Sequence, residues 1–314
     1  MTGRVNTIAL AEVFQKELDK NITHNLVTGW MDANAGRVTY HGGNTIKLPV
    51  MDIDGLGNYG RADGSGFVNG KATVKYETFT MKQDRGRSFM LDRHDVDETN
   101  FAVTMGALLG EFQRSKVVPE VDAYRLSKCI EKSISAKTAK YEVKLTKATI
   151  VNTLKSAITV IRETGCMEQI VIHITYEAKQ MLEEAMAGQL QATTFNIGGV
   201  DTRVNVFDGC ILIPTPSVYM VSQIDLNDGV SHSQEEGGFK VNSDAKHAGF
   251  IAMAKSAPLA ITKQDAVRTF TPEQNQSADA WKSDYRRYHD LFVTDAKAKV
   301  IVAGIIEAEG PEAA

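Results

Sequence analysis

Apolar residues recur at helical spacing in one long stretch of the chain, between residues 84 and 134. The stripe consists of Phe101, Met105, Leu108, Leu109 and Phe112. This spacing predicts an amphipathic helix, which Asp95 or Asp97 is placed to cap. We expect a break or kink at Pro119, because proline disfavours helical geometry in the residue before it. The pattern makes this helix the element on which the rest of the fold is organised.

The pattern after this helix switches between helical and strand periods. Apolar spacing predicts a helix over 146–162, a buried strand over 170–174 and a helix over 176–187 capped by Thr175. Further apolar runs bounded by turn residues predict short strands at 200–206, 210–213, 218–221, 250–253, 260–262, 267–271, 285–293 and 299–306. A helix on each side of a buried strand implies a mixed α/β unit, so we expect an α+β fold.

The pattern before the long helix is different. Residues 6–30 form a rough helical stripe, read as an arm that docks elsewhere or as an ordinary first helix. Residues 36–90 alternate as strands around a tip with six glycines between Asp52 and Gly70, and His41–Asn44 marks a further turn. A long two-stranded excursion is marginal alone and exposes strand edges, so we expect another subunit to cover it.

Composition narrows the class of protein. The chain has 314 residues, and no apolar run approaches the roughly 20 residues of a membrane-spanning helix. Its three widely spaced cysteines, Cys129, Cys166 and Cys210, favour free thiols in a reducing compartment. A net charge of −4 argues against a protein that grips nucleic acid through its overall field.

Several motifs suggest chemistry, but none is completed. Residues 55–60 match G-x-G-x-x-G, yet the glycines that follow cannot open the helix that a dinucleotide site needs. Asp52 and Asp54 do not continue into a calcium loop, since Leu56 stands where a further oxygen ligand is needed.

Three histidines invite functional readings of their own. His232 near Glu235 and Glu236 lacks further metal ligands at a recognised spacing. Adjacent His289 and Asp290 point to opposite faces of a strand and so cannot form a triad with Ser283. His173 lies within a strand and is expected to be a satisfied core or surface histidine, not a catalytic one. We therefore expect no catalytic, cofactor-binding or metal site.

The stretches Asp84–Tyr124 (with RGRSFMLDRHDVDET and GEFQRSKVVPEVDAYR) and Pro272–Ala303 carry a resemblance. Together with the order of elements along nearly the whole chain, they resemble the major capsid protein of tailed double-stranded DNA bacteriophages.

The resemblance implies a domain layout. It consists of an N-terminal arm (1–35), an extended β-hairpin loop (36–88), a peripheral domain with a long spine helix (89–145 and 257–308), an α/β axial domain (146–256) and a C-terminal tail (309–314).

The resemblance also implies a function. Such a protein assembles through pentamers and hexamers into an icosahedral virion shell around double-stranded DNA, with portal and scaffolding proteins as partners, after synthesis in the bacterial host cytoplasm. It is no enzyme and needs no cofactor or membrane. Residues expected to contact neighbouring subunits are Gly55, Gly57, Gly60, Arg61, Gly64, Gly66, Arg85, Arg87, Arg286 and Arg287.

Two alternatives stay open at this point. An encapsulin-type nanocompartment shell would share the fold but enclose a cargo protein. A nucleotide-binding enzyme would use the glycine-rich loop 55–60 as a phosphate cradle.

Overall fold

A computed structural model describes residues 26–37, 44–61, 66–92, 101–187 and 190–306. The chain divides into two compact units, of which the smaller, the hairpin unit, is Gly36–Lys82 and the other, the large unit, is the rest. Residues 6–25 of the helical stripe predicted over 6–30, the turn at 41–43, the caps Asp95 and Asp97 and the tail 309–314 lie outside the described residues. Residues 26–30 form a turn and the start of a 3₁₀ helix.

The hairpin unit is a two-stranded antiparallel sheet. Strand β1 (Thr45–Ile53) pairs with strand β2 (Ala72–Thr80) in one unbroken register, from Thr45 opposite Thr80 to Ile53 opposite Ala72. At the tip, the Asp54 N–H donates to the Lys71 carbonyl at 3.1 Å and the Lys71 N–H donates to Asp54 Oδ2 at 2.7 Å. The glycine-rich segment therefore closes a continuous hairpin, as the alternation predicts.

The predicted long helix is present, but Pro119 does not end it. Helix α1 (Phe101–Phe112) continues through a π-helical turn (Gln113–Val117) into helix α2 (Val118–Ser135), and we call this run the spine helix. Val118 keeps helical angles, φ −59° and ψ −51°, and its N–H donates to the Gln113 carbonyl. The expectation that Pro119 pushes its predecessor out of helical geometry is wrong. The wider turn accommodates a residue that has no N–H to donate.

The remaining elements belong to the large unit. The strands are β3 (Gln83–Asp92), β4 (Ile170–Thr175), β5 (Gln191–Ile197), β6 (Val200–Phe207), β7 (Cys210–Thr215), β8 (Ile224–Leu226), β9 (Phe239–Val241), β10 (Ala248–Ala254), β11 (Leu259–Phe270), β12 (Ala280–Phe292) and β13 (Ile301–Ile305). The helices are α3 (Ile150–Glu163), α4 (Tyr176–Ala185) and the short α5 (Asp295–Ala298). Two 3₁₀ turns lie at Gly29–Arg37 and Ser217–Tyr219.

A six-stranded sheet forms the centre of the large unit, in the order β13-β10-β4-β7-β6-β5. Every residue of β4 is buried, and α3 buries Ile150, Leu154, Ala157, Ile158 and Ile161 in the same core. The Thr175 hydroxyl caps α4 by accepting the Ala178 N–H at 3.3 Å. The predicted helix, buried strand and capped helix are thus confirmed.

Two strand predictions in this region differ from the structure. The run 218–221 falls in a 3₁₀ turn, because Pro216 sets the turn and its carbonyl accepts the Tyr219 N–H at 3.0 Å. Met220 and Val221 are apolar because they are buried, not because they pair along a strand. Strand β5 has no counterpart among the predictions, since only Phe195 of its seven residues is buried.

A three-stranded sheet, β11-β12-β3, packs beside the spine helix. The two strands predicted at 260–262 and 267–271 are one strand, β11, with a register shift between Thr262 and Gln264. Phe112 of the spine helix lies 4.9 Å from the Phe89 ring and 5.8 Å from the Tyr285 ring, centroid to centroid. This aromatic group joins β3 and β12 to the helix.

Buried polar groups hold residues 27–32 against the spine helix. Asp122 accepts hydrogen bonds from the Val27 N–H, the Thr28 N–H and the Thr28 hydroxyl at 3.1, 3.0 and 2.6 Å. Arg125, fully buried, forms a bidentate pair with Asp32 at 2.6 and 3.0 Å. Burial raises the pKa of Asp122 to about 6, against the opposing effect of these hydrogen bonds.

Trp30 extends this anchoring into the six-stranded sheet. Its indole N–H donates to His173 Nε2 at 3.2 Å, and His173 Nδ1 lies 3.0 Å from the Thr215 hydroxyl. Burial lowers the pKa of His173 to about 3, so the ring is neutral near pH 7. His173 is the satisfied core histidine that its place in a strand predicts.

Candidate assembly surface

One face of the hairpin unit is apolar and exposed. Three successive cross-strand pairs share this face: Pro49–Tyr76, Met51–Val74 and Ile53–Ala72. Met51 is 69% exposed, Ile53 66%, Val74 50% and Tyr76 64%. The alternating pairs on the other face carry Lys75 and Asp52 together with the apolar residues Ile46, Leu48, Val50 and Phe79, which are buried or half-buried. We call the first set, Pro49, Met51, Ile53, Ala72, Val74 and Tyr76, the apolar face.

The tip of the hairpin continues this character. Leu56 is fully exposed and Phe67 is 86% exposed, and the Tyr59 ring meets the Phe67 ring edge-on at 4.8 Å. Gly60 and Gly66 exchange backbone hydrogen bonds of 3.0 and 3.1 Å, and Gly66 has φ +66°, which favours glycine. The tip thus presents aromatic and aliphatic side chains on a tight backbone.

Four of the arginines predicted to meet neighbours have partners within the chain. Arg85 pairs with Glu120 at 2.5 Å and donates to the Asn227 carbonyl at 2.9 Å. Arg87 donates to the Glu235 carbonyl at 3.0 and 3.1 Å. Both arginines therefore hold the loop between β8 and β9 beside β3.

The other two arginines lie side by side in β12 and point to opposite faces. Arg286 forms a bidentate pair with Asp84 at 2.5 and 2.8 Å, and this hydrogen bonding lowers the pKa of Asp84. Arg287, whose side chain is 6% exposed, pairs with Asp265 at 2.7 Å. Both arginines thus take part in structural ion pairs within the chain. Their contact with a neighbouring subunit stays a prediction.

The described glycines predicted as contact residues fall at the hairpin tip with Arg61. Gly55, Gly57 and Gly60 lie before Arg61 in the described segment, Gly66 lies after it, and Gly64 lies outside the described residues. No helix follows Gly60 within residues 61 and 66–71, the part of this loop that the structure describes. The geometry therefore lacks the helix N-terminus that gives a G-x-G-x-x-G loop its hold on a pyrophosphate.

The residues considered above for a catalytic or metal site make local contacts. Ser283 is buried and shares a hydrogen bond of 3.1 Å with Thr269, while Asp290 accepts the Tyr124 hydroxyl at 2.7 Å. His232 lies 3.7 Å from Glu235 on the surface, 99% exposed. Among the described residues, no three carboxylate, thiol or imidazole side chains come together to hold a metal ion.

Sequence reasoning identified the hairpin but missed its apolar face. The signal was present in the alternation, since Met51 and Ile53 on one strand match Val74 and Tyr76 on the other. Predicting the apolar face also requires the pairing register of β1 with β2, because a shift of one residue would put these side chains on opposite faces.

Comparison with solved structures identifies the fold. The chain is similar to a structure entitled "Capsid structure of the Cyanophage P-SCSP1u", with TM-score 0.56, 10% identity and coverage of 86% of this chain and 85% of that one. It is also similar to Gordonia phage Cozz (TM-score 0.55, 14% identity, coverage 85% and 82%) and to the "Asymmetric unit of bacteriophage PhiM1 mature capsid" (TM-score 0.54, 10% identity, coverage 85% and 83%).

The chain therefore has the fold of the tailed-phage major capsid proteins, as its sequence resemblance implied. No protein-family model and no curated protein matches the sequence. Within the described part of the chain, no helix combines the length and hydrophobicity that crossing a membrane requires.

Proposed function

We propose that this chain is the structural shell protein of a tailed bacteriophage, which assembles through pentamers and hexamers into the icosahedral capsid around double-stranded DNA. The fold supports the shell role, and the negative net charge fits a container that does not immobilise its contents. The protein would be made in the bacterial host cytoplasm, meet portal and scaffolding proteins there, and end in the virion.

The observation that carries this proposal is the apolar face of the hairpin unit. A two-stranded sheet has no second layer with which to cover such a face. Contiguous exposed apolar side chains mark an interaction surface or an aggregation hazard in a free subunit. Self-assembly resolves the hazard, because the hairpin unit of one copy lies on the surface of the next.

The proposed domain layout follows from the resemblance, with one boundary moved by the pairing of strands. Strand β3 belongs to the three-stranded sheet of the large unit, so we place the end of the extended loop at residue 82 instead of 88. The peripheral domain would then hold the spine helix with β3, β11 and β12. The axial domain would centre on the six-stranded sheet, to which β13 also belongs.

Negative-stain microscopy of the purified protein, alone and with candidate scaffolding protein, tests the proposal. We expect closed shells or capsomer rings. Shells isolated from cells should contain nucleic acid and a portal. Shells filled with a cargo protein and lacking a portal would instead establish the nanocompartment alternative.

Isothermal titration tests the nucleotide-binding alternative. We expect no heat of binding from nucleotides, because the loop at 55–60 does not lead into a helix. Micromolar binding that is lost when Gly57 is replaced by valine would contradict the shell proposal.

A further inference from the structure

The charge of the chain is unevenly distributed, and one short segment opposes the overall sign. Between the end of the spine helix and the second turn of α3, residues 137–155 include the lysines Lys137, Lys140, Lys144, Lys147 and Lys155. Glu142 is the one acidic residue in this range, whereas the whole chain has a net charge of −4. We call this segment the lysine segment.

Backbone pairing fixes the lysine segment beside the six-stranded sheet. The Lys140 N–H donates to the Ala303 carbonyl at 2.8 Å, and the Ile305 N–H donates to the Lys140 carbonyl at 2.8 Å. The Val143 N–H donates to the Ile305 carbonyl at 3.0 Å. These bonds run along the outer edge of β13, so the lysines are presented by an ordered backbone.

Side-chain contacts connect Lys140 to the C-terminal end of the segment and add a sixth lysine. The Lys140 ammonium contacts the Ser156 hydroxyl, beside Lys155 at the far end of the segment. The Lys246 ammonium lies 4.7 Å from the centre of the Tyr141 ring. The lysine patch therefore combines the lysine segment with Lys246 on one part of the surface.

Much of this charge is exposed on the surface. Lys137, Lys144, Lys147 and Lys155 are exposed. Among the described residues, no carboxylate forms an ion pair with Lys137, Lys147 or Lys155. By contrast, Lys128 and Lys132 of the neighbouring helix pair with Glu131 and Asp295. Helix α3 adds its positive N-terminal end here, with no acidic residue in its first turn.

We infer that the lysine patch lies on the inner surface of the shell and contacts the phosphates of the enclosed double-stranded DNA without reading its sequence. This inference rests on the proposed function, which supplies the polyanion. Ammonium groups without carboxylate partners are suited to phosphate contacts that position a duplex but carry no sequence information. The contacts are few per subunit and screened by salt, so the negative chain as a whole does not hold DNA tightly.

Salt-dependent binding of a 20-base-pair duplex to unassembled full-length subunits, followed by fluorescence anisotropy, tests the inference. The patch variant combines Lys137→Gln, Lys147→Gln and Lys155→Gln. We expect the slope of log affinity against log salt to fall by about 2 to 3, since each lost phosphate contact removes about 0.9. The matching three lysine-to-arginine changes should retain the slope of the unmodified protein.

The control variant removes the same charge elsewhere, through Lys47→Gln, Lys75→Gln and Lys116→Gln, all at exposed positions. We expect the control to keep most of the slope. Equal losses in both variants would overturn the inference, and so would the absence of loss in the patch variant. Tighter binding of poly-glutamate than of the duplex would also overturn it, by assigning the patch to an acidic polypeptide.

Microscopy of the same variants separates this inference from the shell proposal. Normal shells from a patch variant with unchanged DNA binding would overturn the inference alone. Failure of the unmodified protein to assemble would instead count against the proposed function, whatever the duplex measurement gives.

Discussion

The sequence predicts both β4 and β2 as strands, but their side chains differ in burial. All six residues of β4 are buried between neighbouring strands and helices of the large unit. In β2 no residue is fully buried, and Val74 and Tyr76 stand on an exposed apolar face with Met51 and Ile53 of β1. The large unit buries an extensive apolar core within one chain, whereas the hairpin unit leaves this apolar face exposed. Stability and assembly should therefore reside in different parts of the molecule.

Removing the same kind of atoms from the two units tests this division most strongly. Leu154→Ala empties a fully buried site in α3 and should lower the free energy of unfolding by about 2 to 5 kcal/mol. Val74→Ala removes methyl groups that already face solvent and should change it by less than about 0.5 kcal/mol. Urea unfolding of unassembled subunits measures both. Comparable losses from the two variants would refute the separation.

The pH dependence of stability should also belong to the large unit, where two buried groups act in opposite directions. The pKa of His173 is lowered to about 3 on folding, so its contribution is complete above about pH 6.5 and declines as the pH falls toward 3. The pKa of Asp122 is raised to about 6, so its contribution is complete below about pH 4 and is lost as the pH rises through 6.

Single variants separate these two effects. The glutamine of His173→Gln can still accept the Trp30 N–H. In the unmodified protein, His173 should lower the free energy of unfolding by about 2 kcal/mol between pH 6.5 and pH 5, and this variant should abolish that decrease. Asp122→Asn should remove the opposing gain on acidification. Denaturation curves at pH 7, 6 and 5 report both. Identical pH profiles for the unmodified protein and the His173 variant would show that the buried imidazole is not neutral in the folded state.

The smallest effect on stability is expected at the hairpin tip, where the effect on assembly is large. Deletion of Gly55–Gly66 removes a loop that includes the exposed Leu56 and Tyr59, and it should leave the melting temperature of the subunit within a few degrees of the original. Closed shells should become rare in electron micrographs, because the tip reaches a neighbour. Normal shells from the deletion variant would show that the tip takes no part in holding subunits together.

Local chemistry explains which parts of the fold could be predicted from sequence. The α3 stripe, the buried β4 strand and the Thr175 cap depend on residues a few positions apart, and all three were anticipated. The pairing of β3 with β12 could not be predicted, because it joins residues 188 to 206 positions apart in segments that have no shared pattern. The π turn before Pro119 also escaped prediction, since a wide turn leaves no distinctive composition.

The candidate surface, like the fold, could be predicted only where it depends on local sequence. The glycine-rich tip and the need for a partner follow from composition and from the weakness of a lone hairpin. The apolar face depends on the register that sets Met51 opposite Val74, and the lysine patch depends on the contact between Lys140 and Ser156. Both arise from tertiary placement, which alternation and spacing alone do not specify.

The central claim is that the apolar face of the hairpin is buried against a second copy of the chain. Its most direct test compares two double variants. One combines Met51→Lys and Val74→Lys, and the other combines Asp52→Lys and Thr73→Lys. Each pair puts two lysines opposite one another on adjacent rungs, but on opposite faces of the same hairpin. We predict that the first variant remains a soluble, folded subunit that forms no shells, while the second still assembles. Equal assembly of the two variants in negative-stain micrographs would contradict the claim.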